Sequence, residues 1–156
     1  MAITTLPAKI LKETMDSLLP LDLKEGRFDE LIDRMRKAMV VHHGIGLAAN
    51  QISEHLSLFV IDRDLAQEQG VSDVFANPSI TNASTEYEDL EEGCLSIPGY
   101  WTPIRRSKKI MFKALDGKGN KVKFRARGLL ARVLQHETDH LNGTTIRDRA
   151  RAQKKS

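Results

Sequence analysis

The run Gln135-His136-Glu137-Thr138-Asp139-His140 sets two imidazoles four positions apart, with a carboxylate directly after the first. On an α-helix, residues four apart share a face, so both imidazoles can reach one divalent cation. The intervening Glu137 then points towards the open position of that cation, where a carboxylate can take a proton from water. The spacing is therefore that of a metal hydrolase. Two helical histidines can also fit the pattern by chance, so the rest of the chain must carry the decision.

A catalytic site of this kind needs a third protein ligand and leaves a fourth position to water or substrate. In the HExxHxxGxxH peptidases that ligand is a second downstream histidine, but here its place is taken by Ile146, although Gly143 matches the glycine. In other peptidases a downstream glutamate completes the set, yet residues 141–156 contain no glutamate and one acidic residue, Asp148. The search therefore moves upstream. The chain has 1 cysteine, Cys94, within Glu92-Gly93-Cys94-Leu95-Ser96-Ile97-Pro98-Gly99. Free cysteine is commonly a small buried hydrophobe, but thiolate with two imidazoles is an attested catalytic ligand set.

A third segment, Gly44-Ile45-Gly46-Leu47-Ala48-Ala49-Asn50-Gln51, partly fits the dinucleotide fingerprint, with Asp62 or Asp64 as the acidic residue. That fingerprint requires a strand before the loop and a full helix after it. Residues 27–42 instead read as a helix, and the next strand-like run begins near Ser57. The glycines are then expected to let backbone approach a ligand closely and to adopt angles other residues avoid. Gln51 adds a neutral amide donor suited to a developing oxyanion.

In this order and at these separations, GIGLAANQ, EGCLS and QHETDHLNG resemble peptide deformylase, the family that removes the formyl group from new protein N-termini. The resemblance runs from about Arg27 to Gly143. It implies that Cys94, His136 and His140 ligate the metal, with Glu137 as acid/base and Gln51 and the Leu95 N–H as oxyanion donors. Substrate contacts are implied at Ile45, Gly46, Glu92, Gly93, Leu129 and Val133, while Glu92 with Arg106, and Asp139, read either as groups that orient the ligands or as ordinary surface ion pairs. The implied metal is Fe(2+), with Ni(2+), Co(2+) or Zn(2+) as substitutes. The implied partners are N-formyl-Met peptides and nascent chains. Residues 1–25 match the family opening loosely, and the chain is similar to short forms, some of them bacteriophage-encoded. Two rivals are an HExxH metallopeptidase and a non-enzymatic ribosome- or RNA-binding module. The five Phe, two Tyr and one Trp form no evident stacking platform for the latter.

At 156 residues the chain is expected to be one domain and a monomer. It has no long apolar run and no signal-peptide layout, so a cytoplasmic protein is expected, or an organelle-matrix one, or one in a host cell if phage-encoded. Of the net charge of +3, the last ten residues hold more than the whole, with Arg147, Arg149, Arg151, Lys154 and Lys155 against Asp148. The expected division is a catalytic domain over 1–146 and a basic tail over 147–156. That tail reads as a solvated terminus or as a contact to ribosomal RNA phosphates. The tandem His42 and His43 point to different helix faces and read as helix-terminal residues.

The elements that must position these residues predict an α+β domain in which a buried metal-binding helix packs against antiparallel β-sheets. Phe28, Leu31, Ile32, Met35 and Met39 have helical spacing, stopped at Gly44. Ser57–Asp62 and Val74–Ala76 read as strands. Lys109–Leu115 and Lys121–Arg127 flank a turn-rich Asp116–Asn120 and read as a hairpin. Gly128 opens the last helix, whose apolar residues lie all round it and predict a central position; Asn142-Gly143 ends it.

Overall fold

The computed structural model describes residues 1–155. Its elements are α1 (Pro20–Lys24), α2 (Asp29–Val41), β1 (Gly46–Ala48), β2 (Leu58–Ile61), α3 (Arg63–Gln69), β3 (Val74–Thr81) and β4 (Tyr87–Cys94). They continue with β5 (Ile97–Ser107), β6 (Lys109–Asp116), β7 (Lys121–Arg127), α4 (Gly128–Leu141) and α5 (Ile146–Lys155). Short 3-10 helices lie at Lys9–Lys12 and Ala49–Ile52. One sheet has the order β1-β2-β3-β6-β7 and the other is the β4-β5 hairpin, all antiparallel.

The alternation of side chains along β2 explains why the larger sheet is buried on both faces there. Phe59 and Ile61 enter a core with Phe75, Phe112 and the α4 residues Leu130, Ala131 and Leu134. Leu58 and Val60 enter a second core with Leu31, Ile32, Met35 and Met39 of α2. A strand covered on both sides reads as a continuous apolar run, as Leu58-Phe59-Val60-Ile61 does. In the first core the rings of Phe75 and Phe112 meet edge to face at 5.0 Å and 80°.

The helix expected over 27–42 is α2, and the expected hairpin is β6-β7. The last helix is central as expected, with ten of its residues buried from Leu130 to Leu141. The β4-β5 hairpin escaped the sequence reading because Tyr87–Glu91 is exposed throughout and has no apolar alternation. Cross-strand pairing holds it, with Asp89 opposite Arg105 and Glu88 opposite Arg106.

The terminal segment is corrected: residues 146–155 form α5, packed on β5, so the boundary drawn after residue 146 falls in its first turn. Thr145 and Asp148 cap it reciprocally, the Thr145 N–H donating to Asp148 Oδ2 at 2.8 Å and the Asp148 N–H to Thr145 Oγ1 at 3.4 Å. Ile146 and Ala150 are buried beside Ile97 and Ile104. Arg149 grips Asp139, and the Arg147 guanidinium lies 5.3 Å from the centre of the Tyr100 ring. Deleting residues 147–156 is therefore expected to destabilise the chain by about 2 kcal/mol. A thermal melt should fall by about 4 to 8 °C, which a solvated terminus would not produce.

Candidate metal centre

The buried helix α4 presents His136, Glu137 and His140 towards the turn of the β4-β5 hairpin. Cys94 is the last residue of β4 and pairs with Ile97 across that turn, with the register shifting between Gly93 and Cys94. The Cys94 Sγ lies 3.2 Å from His140 Nε2, which lies 3.2 Å from His136 Nε2. All three donor atoms fall within 4.8 Å of one another. Three electron-rich atoms turned towards one point repel unless a cation sits among them.

The surrounding charges favour a cation too. Burial disfavours a charged His136, but Glu137, Cys94 and Glu92 outweigh it and hold its pKa up at about 10. Burial, reinforced by His136 and Arg106, drives the His140 pKa well below its ordinary value. A dication bound by these residues would supply the positive charge without occupying an imidazole lone pair. The donor set and its environment therefore fit a divalent metal.

Glu137 lies beside this cluster, its Oε2 4.0 Å from His136 Nε2. Its Oε1 is buried with no hydrogen-bond partner, an arrangement that leaves it open to water or substrate. Burial pushes its pKa up to about 7, with the charge on His136 opposing. Gly46 makes room for it: a Cβ there would lie 2.6 Å from Glu137 Oε2. Neither Gly44 nor Gly46 adopts a positive φ, so close approach is what the structure requires at Gly46, and the expectation of unusual angles is corrected.

Gln51 is oriented from both ends. Its Oε1 accepts from the Ala48 N–H at 3.0 Å, which turns Nε2 towards Ser96 Oγ at 3.1 Å and Cys94 Sγ at 3.6 Å. The N-terminal segment straps this region, the Thr4 N–H donating to the Gln51 carbonyl at 2.6 Å and the Leu6 N–H to the Ser96 carbonyl at 3.0 Å. Leu95 lies in the turn immediately after Cys94, half-buried against the α2 core. Leu129, Val133, His136 and His140 follow one another along one face of α4. Leu129 and Ile45 are exposed near the site, whereas Val133 is in the main core.

Behind the histidines lies a buried ion network. Glu92 Oε1 accepts from His136 Nδ1 at 2.8 Å, which directs His136 Nε2 at the cluster. Arg106 forks onto Glu92 at 2.9 and 3.0 Å and reaches Asp139 at 2.6 Å. Burial would raise the Glu92 pKa, but hydrogen bonds from His136 and Arg106 hold it well below the usual carboxylate range. The Glu92 carboxylate is thus engaged by His136, Arg106 and Arg132, so its side chain supports the ligands and only its backbone is left for a substrate contact. Arg106 and Asp139 are both members of this network. Sequence reasoning placed neither Arg132 nor Arg149 in this network, assigning Arg149 to the basic tail, although Arg132 stands one turn before His136 on a buried helix.

Replacing Arg106 by Met should leave Glu92 and Asp139 short of a counter-charge, costing about 3 kcal/mol in a denaturant melt. Metal affinity should fall about 10- to 100-fold as His136 loses its orientation. Unchanged stability and metal retention would reduce the network to incidental ion pairs.

The chain matches the family described as polypeptide deformylase over residues 1–156. A peptide deformylase of Desulfosudis oleivorans is 40% identical over 148 residues, covering 95% of this chain and 84% of that one. A crystal structure of peptide deformylase from Thermotoga maritima superposes with a TM-score of 0.84 and 35% identity, covering 94% of this chain and 95% of that one. A class I type b peptide deformylase from Acinetobacter baumannii, with K3U bound, gives 0.88 and 30%, covering 96% and 97%. The open Cys/His/His centre with an adjacent carboxylate defines the class as a hydrolase. The chain belongs to the peptide deformylase family. Membership favours neither the peptidase nor the non-enzymatic RNA-binding reading. No helix among the described residues is long and apolar enough to cross a membrane.

Proposed function

We propose that this chain removes the N-formyl group from the initiator methionine of newly synthesised polypeptides, releasing formate. The observation that carries the reading is the convergence of Cys94 Sγ, His136 Nε2 and His140 Nε2 beside a buried, unpartnered Glu137 oxygen. When bound by Cys94, His136 and His140, a divalent metal supplies Lewis acidity and an acidified water. Glu137 takes the proton of the attacking water and delivers it to the amine nitrogen, which would otherwise leave as a strongly basic anion. Gln51 Nε2 and the Leu95 N–H donate to the oxyanion of the formyl carbon. Each such donor is worth about 3 to 4 kcal/mol where it has been removed from a hydrolase. Ile45 and Leu129 offer apolar surface for the methionine side chain, with Val133 supporting Leu129 from the core. Gly46 leaves room for the Glu137 side chain and Gly93 for the Trp101 ring, so neither adds bulk of its own beside the site.

Iron(II) is the proposed working metal, with nickel or cobalt as substitutes. The family resemblance supports this choice, since the ligands alone suit zinc equally well and affinity favours adventitious zinc. The test is formate release from a formyl-Met peptide, beside an unblocked and an acetylated peptide, using protein reconstituted anaerobically with each metal. Selective turnover of the formylated peptide, fastest with iron, is expected. Cleavage of internal bonds would overturn the reaction assignment, and a fastest zinc form would overturn the metal.

A further inference from the structure

The α2 side of the sheet is covered over β1, β2 and β3 and as far as Leu115 on β6, with Pro20 against the β6-β7 turn; beyond Leu115 it is open, and cations stand along it. On β7, Lys121, Lys123 and Arg125 alternate with inward residues, and Arg127 ends the row; all four are exposed. On β6, the exposed Lys109 and Lys113 face Arg127 and Lys123 directly. None of these six makes an ion pair among the described residues. Like charges directly opposed in a sheet destabilise it. Lysines on an edge strand do blunt aggregation, and that accounts for β7. It does not account for β6, which is an interior strand.

We infer that this face docks the phosphate backbone of RNA. Same-face side chains on a strand recur about every 7 Å, so two adjacent rows present a ladder of positive charge to a polyanion. At the Lys109–Arg127 end the strands border a cavity of about 570 Å³ that is lined from both sides of the sheet, by Met111 and Arg125 and by the inner residues Ile110 and Ala126, with Gln69 and Asn82 as neutral polar groups. The half-buried Met111 is the apolar side chain between the β6 lysines. No exposed aromatic or large aliphatic residue lies on β6 or β7 themselves, the exposed Leu19 and Leu21 flanking Pro20 at the β6-β7 turn instead, which disfavours a membrane on the cationic rows. The choice of RNA over DNA rests on the proposed action on new chains at the ribosome. The inner residues of the same strands, Ile110, Phe112 and Ala126, share a core with α4. Docking therefore occupies the side of the sheet opposite the metal helix and leaves the site open to a peptide.

The test uses a fluorescent mixed-sequence 20-mer RNA, with binding read by anisotropy over a salt series. The variant Lys113→Gln/Lys123→Gln/Arg125→Gln is compared with Lys9→Gln/Arg34→Gln/Lys37→Gln, which removes the same charge elsewhere. The face variant should bind at least about tenfold more weakly at about 0.1 M salt, with its log–log salt slope shallower by about 2 to 3. The control should stay near the parent. Lys113→Arg/Lys123→Arg should retain binding, which separates charge from a folding defect. Short formyl-peptide turnover should be the same in all four proteins, and its absence in every one would overturn the deformylase reading without touching the RNA result. With phosphatidylserine vesicles run in parallel, no RNA binding by the parent, equal losses in the two Gln triples, or a face-variant loss seen on the vesicles and not on RNA would each overturn the inference.

Discussion

Glu137→Gln is expected to bind metal stoichiometrically and to lose about two to four orders of magnitude in deformylation, the range that a positioned acid/base contributes. The amide keeps the size of the carboxylate, so Gly46 still accommodates it, but it cannot accept and return a proton. Metal binding should survive because the donor atoms come from Cys94, His136 and His140. Stability should hold or rise, because a buried carboxylate oxygen without a partner is replaced by a neutral group. Metal analysis, a thermal melt and formate release on one preparation decide it. Turnover within a few fold of the parent would remove Glu137 from the chemistry, whereas loss of metal would make it a ligand.

Cys94→Ala is expected to fail differently, losing metal and activity together. One of three donors disappears, and the sulfur that helps to hold up the charge on His136 goes with it. The fold should persist, since Cys94 is half-buried at a turn and its neighbours Gly93 and Ile97 keep their places in the hairpin. The decisive measurement is metal retained after dialysis against a chelator, read beside a circular-dichroism melt. A variant that holds the ion and turns over as the parent does would make Cys94 a packing residue.

The candidate site was largely legible because its chemistry is local or carried by rare residues. His136 and His140 share a face through the helical repeat alone, and Cys94 is the sole thiol. The glycines beside Gln51 marked a close backbone approach, although the reason at Gly46 is contact with Glu137 and not a special backbone angle. The network behind the histidines was half legible. Arg106 and Asp139 were expected there, whereas Arg132 and Arg149 reach it through distances of 40 and 10 residues that no periodicity reports.

By itself, the chain order determined the helices α2 and α4, the β6-β7 hairpin and the types of the metal donors, because short-range periodicity and side-chain chemistry carry that information. Tertiary structure alone decided the rest. It brought the turn after Cys94 against α4, buried Glu92 and chose ligand orientation over a surface ion pair for it, and drew the last residues into α5 through Ile146, Ala150 and Arg149. It also set alternate cations of β6 and β7 side by side on one open face. Each of these depends on pairing or burial between segments distant in sequence, and the free energy of such contacts exists only once the chain has closed.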